Sequence, residues 1–257
     1  MAKILEVTNL NLSFGGIKAV HDVCFHINEH ELLGLIGPNG AGKTTVFNMV
    51  SGFYKPDSGT IKLDGREIQN QSPDQVNKSG IARTFQNIRL FSKLSVLENV
   101  LIAMQQTEQL GWFESLFRTK KYLKKEVELK KHCLDLLKIF SLDHLAYEQA
   151  CNLSYGLQRK LEIVRALASK PKILILDEPA AGMNHQETDD LKKLIYFIKD
   201  KFNLTVLLIE HDMKLVMSIC DRLVVLNRGT KIADGAPSEI KSNATVIEAY
   251  LGKRTHH

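Results

Sequence analysis

No two cysteines stand near enough to form a CxxC pair; Cys24, Cys133, Cys151 and Cys220 are scattered along the chain. That absence argues against a zinc site or a disulfide framework and makes a reduced, cytosolic protein the natural reading. Long apolar runs are also missing: KILIL and TVLLI are far too short to span a bilayer. No apolar stretch of signal-peptide type follows the first Lys of MAKILEV, so no secretory leader is expected. No repeat or low-complexity segment is visible, and the closing KRTHH reads as a frayed tail. Neither sign of charge dominates. The net charge of +5 suits weak attraction to phosphate or an anionic membrane face and does not call for nucleic acid. What remains is an ordinary globular composition, 44% hydrophobic and 25% charged. The 257 residues suffice for one large domain, or one carrying an inserted subdomain.

The first stretch reads as strands. ILEVTNLNLSF and AVHDVCFHI alternate apolar with polar residues, whereas LLGLIG is a continuous apolar run suited to a buried parallel strand. A glycine-rich loop and the helix KTTVFNMVS follow, with Gly52 placed to end the helix. TIKLDGREI contains Asp64-Gly65, a hairpin turn. From about Phe85 the character changes. Ser95-x-x-Glu98 is a capping box that opens VLENVLIAM, and a long charged helical pattern, KKYLKKEVELKKHCLDLLKIF, follows. Strands resume at KILILDEP and TVLLIEH, separated by QETDDLKKLIYFIKDKF with apolar residues at Leu191, Leu194, Ile195 and Ile198. RLVVLNRGTKIADG then reads as a hairpin and VIEAYLG as a terminal helix. This alternation implies an α/β fold whose parallel sheet is covered by helices on both faces.

GPNGAGKTT, Gly37 to Thr45, matches G-x-x-x-x-G-K-[ST] between an apolar strand and a helix, the context such a loop requires. Its glycines allow positive φ, so that successive backbone N–H groups converge on phosphate oxygens at the positive end of the helix. Lys43 adds a full charge there, and the Thr44 hydroxyl is suited to ligate Mg²⁺. Asp177 closes a buried strand, where a carboxylate needs a partner, and water-bound Mg²⁺ would be one. Glu178 follows and can orient and deprotonate an attacking water. LSYGLQRKLEIVRAL offers a second anion site: Ser154 stands where it can cap a helix running through Arg165. A second such site makes sense if it closes over ATP held by a different chain.

Together these motifs resemble the ATPase subunit of an ABC transporter. GPNGAGKT resembles its Walker A motif, Gln86 in RTFQN its Q-loop, LSYG its signature, ILILDE its Walker B motif, and His211 in LLIEHD its switch histidine. The resemblance covers essentially residues 3–252 and implies a P-loop NTPase core. That core has a mostly parallel sheet, an N-terminal antiparallel β subdomain and an inserted helical subdomain. The expected division is 1–85 and 160–257 for the core with its β subdomain, and 86–159 for the insertion. ATP would be bound by Phe14, Gly37, Pro38, Asn39, Gly40, Ala41, Gly42, Lys43, Thr44 and Thr45, and by Ser154 and Gly156 of the facing subunit. Phe14 would stack on adenine; an ordinary core position is the alternative reading. Glu178, His211 and Gln86 would be catalytic, and Thr44, Gln86 and Asp177 would hold Mg²⁺. Two departures stand out. Leu157 occupies the position where the signature usually has Gln, and Asn184 replaces an acidic residue in the segment after Walker B.

PAAGMNHQET, LSYG, EHDMKLVM, SFGGIKAV and VIEAYLG narrow the resemblance to the ATP-binding subunit of bacterial branched-chain amino-acid importers. That implies two transmembrane permease subunits, a companion ATPase or a second copy of this chain, a periplasmic binding protein acting indirectly, and no nucleic acid. The location implied is peripheral, on the cytoplasmic face of the inner membrane. Ile88, Leu90, Phe91 and Leu94 beside Gln86 form either a permease-docking groove or the helical subdomain's own core. Trp112, Phe113, Leu116 and Phe117, followed by basic residues, form either a membrane-surface helix or a packed one. A lipopolysaccharide-export ATPase is the strongest rival. A DNA-repair ATPase would need a long coiled-coil insertion for which the chain has no room. A ribosome-associated relative would usually carry two phosphate loops, a small-molecule kinase would lack LSYG, and a binding-only scaffold would not turn over ATP.

Overall fold

The structure is a computed structural model describing residues 2–107 and 120–251. The aromatic pattern at Trp112, Phe113, Leu116 and Phe117 lies outside the described residues. The chain forms two compact units, one from Met1–Arg83 and Lys172–His257, the other from Thr84–Pro171.

The first unit contains two sheets. β1 (Lys3–Phe14), β2 (Ile17–Asn28), β4 (Ser58–Leu63) and β5 (Arg66–Glu67) form an antiparallel sheet in the order β2-β1-β4-β5. The turn from β4 to β5 places Asp64 at φ 48° and Gly65 at φ 74°, the two left-handed residues a type I′ hairpin needs. The second sheet runs in the order β10-β9-β3-β8-β7-β6. Its strands are β3 (Leu32–Ile36), β6 (Ile81–Arg83), β7 (Ile173–Asp177), β8 (Thr205–Ile209), β9 (Arg222–Asn227) and β10 (Thr230–Gly235). Every pairing in it is parallel except that of β9 with β10. Each residue of β3, β7 and β8 is buried, which is why these strands carry unbroken apolar runs rather than alternation. Gly34 is required by close approach: a Cβ there would lie 2.9 Å from the Cys220 sulfur.

Helices complete this unit. α1 (Lys43–Val50) follows β3, and Gly52 at φ 78° lies just past its end. α2 (Pro73–Ser79) begins with a Ser72–Gln75 capping box.

In the second unit, α3 (Val96–Thr107) opens on the expected box: Ser95 Oγ accepts from the Glu98 N–H at 3.2 Å and the Glu98 carboxylate accepts from the Ser95 N–H at 2.7 Å. The Ser95 hydroxyl also donates to the Glu98 carboxylate at 2.7 Å, and that bond, with the one from the Ser95 N–H, holds the Glu98 carboxyl below its usual range. α4 (Lys120–Ile139) is charged on most of its surface, yet Leu129, Cys133 and Leu137 recur every fourth residue and are buried. α5 (Tyr155–Ala168) buries Leu161, Ile163, Val164 and Leu167. Here the expected boundary needs correction. The chain does not return to the core at residue 160; α5 stays with the helical unit, because its apolar residues pack on α3 and α4, and the return comes at Lys172.

α6 (His185–Phe202) buries Leu191, Ile195 and Ile198, while Leu194 is only half-buried. α7 (Met213–Ile219), α8 (Pro237–Ser242) and α9 (Ala244–Leu251) complete the first unit.

In α5 an i,i+3 charge pair is visible in the local sequence, but its burial is not. Arg159 and Glu162, both 1% exposed, form an ion pair at 2.8 Å. Arg159 also donates to the carbonyls of Phe85 at 2.6 Å and Gln86 at 2.8 Å, and Glu162 accepts from the N–H groups of Phe85 and Arg89. The pair thus fixes the backbone on either side of Gln86. Glu162→Ala leaves a guanidinium buried without its counter-charge and is expected to cost about 3–5 kcal/mol in urea unfolding. Unchanged stability of that variant would show that the pair carries no such weight.

Candidate functional site

The site is set by strand register. Asp177 at the end of β7 pairs with Ile209 at the end of β8, and Leu35 of β3 pairs with the same Ile209. The residues that follow therefore leave the sheet along one edge: the loop from Gly37, the turn from Glu178, and Glu210–His211. Carboxyl ends of parallel strands are where an open α/β sheet holds ligands.

In the loop before α1, Gly37 (φ 151°) and Gly42 (φ 96°) occupy conformations that side chains seldom adopt. A Cβ on Gly37 would collide with the Leu226 carbonyl, and one on Gly42 would lie 2.8 Å from the Ala19 carbonyl. No side chain caps the N-terminus of α1, so its positive end is left for an anion. Lys43 is only 7% exposed and donates to the carbonyls of Gly37 at 2.7 Å and Pro38 at 3.0 Å. Burial lowers its proton affinity, and the charge of Glu178 opposes that effect. Thr44 is exposed and Thr45 half-buried. The β9–β10 hairpin braces the loop from behind, the Gly229 N–H donating to the Ala41 carbonyl at 3.0 Å. Along the outside, Pro38–Ala41, the Asn227–Arg228 turn and Thr245, Glu248 and Ala249 of α9 line a 580 Å³ cleft.

Asp177 is 7% exposed, and one partner in the structure is a cation, the first residue of RTFQN, to which the sequence reading gave no role. Arg83, at the end of β6, brings Nη2 to 3.4 Å from Asp177 Oδ2. Its Nη1 donates to Asn48 and Ser51, and its guanidinium lies 3.8 Å above the Phe47 ring. Arg83 therefore joins α1 to the β7 carboxylate. Among the described residues no three His, Cys, Asp or Glu side chains cluster to hold a metal. A carboxylate, Asp177, and an exposed hydroxyl, Thr44, nonetheless supply the hard oxygen donors Mg²⁺ takes when phosphates complete its shell.

Glu178 has φ 44°, an uncommon left-handed conformation, and its N–H donates to the Ile209 carbonyl at 2.8 Å. His211 Nδ1 lies 3.5 Å from Glu178 Oε2, and the His ring is more than half exposed. The core unit thus brings the Gly37–Thr45 loop, Asp177, Glu178 and His211 to one edge. Phe14 is 47% exposed and meets Tyr54 edge to face at 5.4 Å, so it is not a core residue.

The other three expected residues belong to the helical unit. Gln86 is exposed. Ser154 occupies the N-cap position of α5 without a side-chain cap bond, and its side chain faces solvent with Gly156. Leu157 is half-buried, and Gln158 donates to the Leu153 carbonyl at 2.9 Å, so Gln158 is already engaged within its own helix. The other departure keeps a helix cap that an acidic residue could also make. Asn184 caps α6, its Oδ1 accepting from the Glu187 N–H at 3.0 Å while Glu187 accepts from the Asn184 N–H.

Known proteins resemble this chain in sequence and in fold. Residues 20–181 match the family described as ABC transporter, and residues 230–256 match the one described as branched-chain amino acid ATP-binding cassette transporter. The high-affinity branched-chain amino acid transport ATP-binding protein BraF of Pseudomonas aeruginosa is 48% identical over 97% of this chain and 98% of its own. LivG of Salmonella typhimurium, with the same description, is 47% identical over the same shares. A crystal structure of the ADP conformation of an ATP-binding cassette of an ABC transporter superposes with a TM-score of 0.84 at 33% identity, covering 98% of this chain and all of that one. With the phosphate loop, the acidic strand end and the histidine at one sheet edge, and with relatives this similar over nearly its whole length, the chain belongs to the ABC transporter family as an ATP-binding subunit.

Proposed function

We propose that this chain is the ATP-hydrolysing subunit of an importer for branched-chain amino acids. The observation that carries the chemistry is the shared sheet edge, where Lys43, Asp177, Glu178 and His211 emerge from neighbouring strand ends. The match of residues 230–256 to a branched-chain amino acid transporter family, beside relatives so described, supports import over lipopolysaccharide export.

ATP is the substrate. Its β- and γ-phosphates take the place of the Gly37 and Pro38 carbonyls as partners of the Lys43 ammonium, and the loop N–H groups and the start of α1 bind the remaining oxygens. Phe14, exposed at the end of β1, offers its face to adenine. Thr44 and Asp177 would hold Mg²⁺, which neutralises phosphate charge when bound. Glu178 takes the proton of the attacking water, and His211 holds the γ-phosphate and the Glu178 carboxylate in place. Ser154 and Gly156 of a second ATPase subunit, a copy of this chain or a companion, complete the phosphate site, so an isolated monomer hydrolyses slowly.

Among the described residues no helix is long and apolar enough to cross a membrane, so transport needs membrane-spanning partners. Two permease subunits fit that role, served indirectly by a periplasmic binding protein, with this chain peripheral on the cytoplasmic face. Ile88, Leu90 and Leu94 are half-buried and Phe91 is 48% exposed, which leaves apolar surface beside Gln86 for a short permease helix.

Glu178→Gln is expected to slow MgATP turnover by orders of magnitude and to accumulate ATP-bound dimers in size-exclusion chromatography. An unchanged rate would remove Glu178 from the role of base. Cells lacking the chain are expected to lose concentrative uptake of labelled leucine, isoleucine and valine, with uptake restored by the native chain and not by Lys43→Ala. Undiminished uptake of all three would overturn the substrate assignment.

A further inference from the structure

Glu210 is a carboxylate that none of the steps above uses. It stands between the end of β8 and His211 and is 1% exposed. Its two oxygens reach two different segments. Oε1 accepts from the Ala180 N–H at 2.9 Å, and Oε2 accepts from the His211 N–H at 3.2 Å. Ala180 lies two residues beyond Glu178, in a compact turn closed by bonds from the Ala181 N–H to the Glu178 carbonyl and from the Met183 N–H to the Ala180 carbonyl. One buried carboxylate therefore joins the turn that carries Glu178 to the segment that carries His211.

The residue type matters. A carboxylate presents two acceptor oxygens, whereas an amide of the same shape presents one acceptor and one donor. Gln at position 210 could receive only one of the two N–H groups and would face the other with its own. Burial pushes the Glu210 carboxyl above its usual range, and the backbone N–H groups of Ala180, His211 and Asp212, with the neighbouring His211 ring, work against that push. Ala180, Gly182, Met183, Glu210 and His211 together line a 440 Å³ cleft, so the turn the clamp holds is open to a neighbouring molecule there.

We propose that Glu210 is a positioning residue that locks the Glu178 turn to the His211 segment, so that both groups meet the γ-phosphate as one body and movement of residues 180–183 is passed to His211. This inference rests on the reading of Glu178 and His211 as hydrolytic groups.

The test uses the full chain as native protein, Glu210→Gln and Glu178→Gln. It measures amide hydrogen exchange at residues 180 and 211, the Kd for ATP without turnover, and kcat. Glu210→Gln is expected to speed exchange at both amides and to lower kcat on the order of tenfold or more, with the ATP Kd changed less than about twofold, the pattern of an interaction that serves the transition state alone. Native-like exchange at both amides, a kcat close to the native value, or a loss of ATP affinity as large as the loss of rate would overturn the proposal. Should the Gln variant fail to fold, Glu210→Ala, which removes both acceptor oxygens, takes its place in the same measurements, and the same results support or overturn the clamp. Glu178→Gln separates the two ideas. If it leaves hydrolysis intact, the hydrolytic reading fails by itself; if it abolishes hydrolysis while Glu210→Gln does not slow it, only the clamp fails.

Discussion

The parallel, in-register pairing of β7 with β8 is the constraint from which the rest follows. Because Ile173 pairs with Thr205 and each later residue keeps step, Asp177 and Ile209 finish level. A slip of one residue would turn Asp177 from one face of the sheet to the other and carry Glu178 away from His211. β3 holds the same register against β8, which brings the phosphate loop to that edge as well. None of these strands has a polar face to mark its alignment, since all are buried. The alignment is secured instead at the ends: the Thr205 N–H donates to the Lys172 carbonyl before the strands begin, and the Glu178 N–H donates to the Ile209 carbonyl after they finish.

Interior charges carry out the remaining positioning. Arg83 links α1 to Asp177, the Arg159–Glu162 pair fixes the backbone around Gln86, and Glu210 joins the turn after Glu178 to the His211 segment. An apolar residue could fill any of these positions at lower desolvation cost. It could not hold an irregular segment whose backbone groups lie outside the sheet and helix ladders, and the segments before and after the ATPase strands are of that kind. The chain thus pairs an apolar sheet that sets distance with buried ionic groups that set orientation.

Much of this was legible in the sequence. Turn chemistry at Asp64-Gly65 and the Ser95–Glu98 box located their elements, and the unbroken apolar runs at LLGLI and ILILD identified central parallel strands. The phosphate loop, Asp177, Glu178 and His211 could be named because each lies in a motif whose spacing reflects its chemistry. Arg83, Arg159, Glu162 and Glu210 could not. The Arg159–Glu162 spacing is local, but the bonds of that pair to Phe85, Gln86 and Arg89 are not, and Arg83 and Glu210 likewise meet partners far along the chain, such as the Ala180 N–H from which Glu210 accepts across thirty positions. The return from the helical unit was read too early for a related reason: α5 looks alike in sequence whichever unit it packs on, and its burial against α3 and α4 decides the matter. Asn184, read as a change of charge, keeps the cap of α6, which an acidic side chain could make as well.

The central claim is that this ATPase powers a membrane importer for branched-chain amino acids. The most direct measurement is affinity capture of the chain with a nonhydrolysable ATP analogue and Mg²⁺ from detergent-solubilised membranes of its source, with mass spectrometry of what it retains. The account predicts two multi-spanning permeases, with or without a second ATPase subunit, that restore leucine, isoleucine and valine transport when reconstituted with it. Retention of a lipid-export permease, or of soluble proteins only, would contradict it.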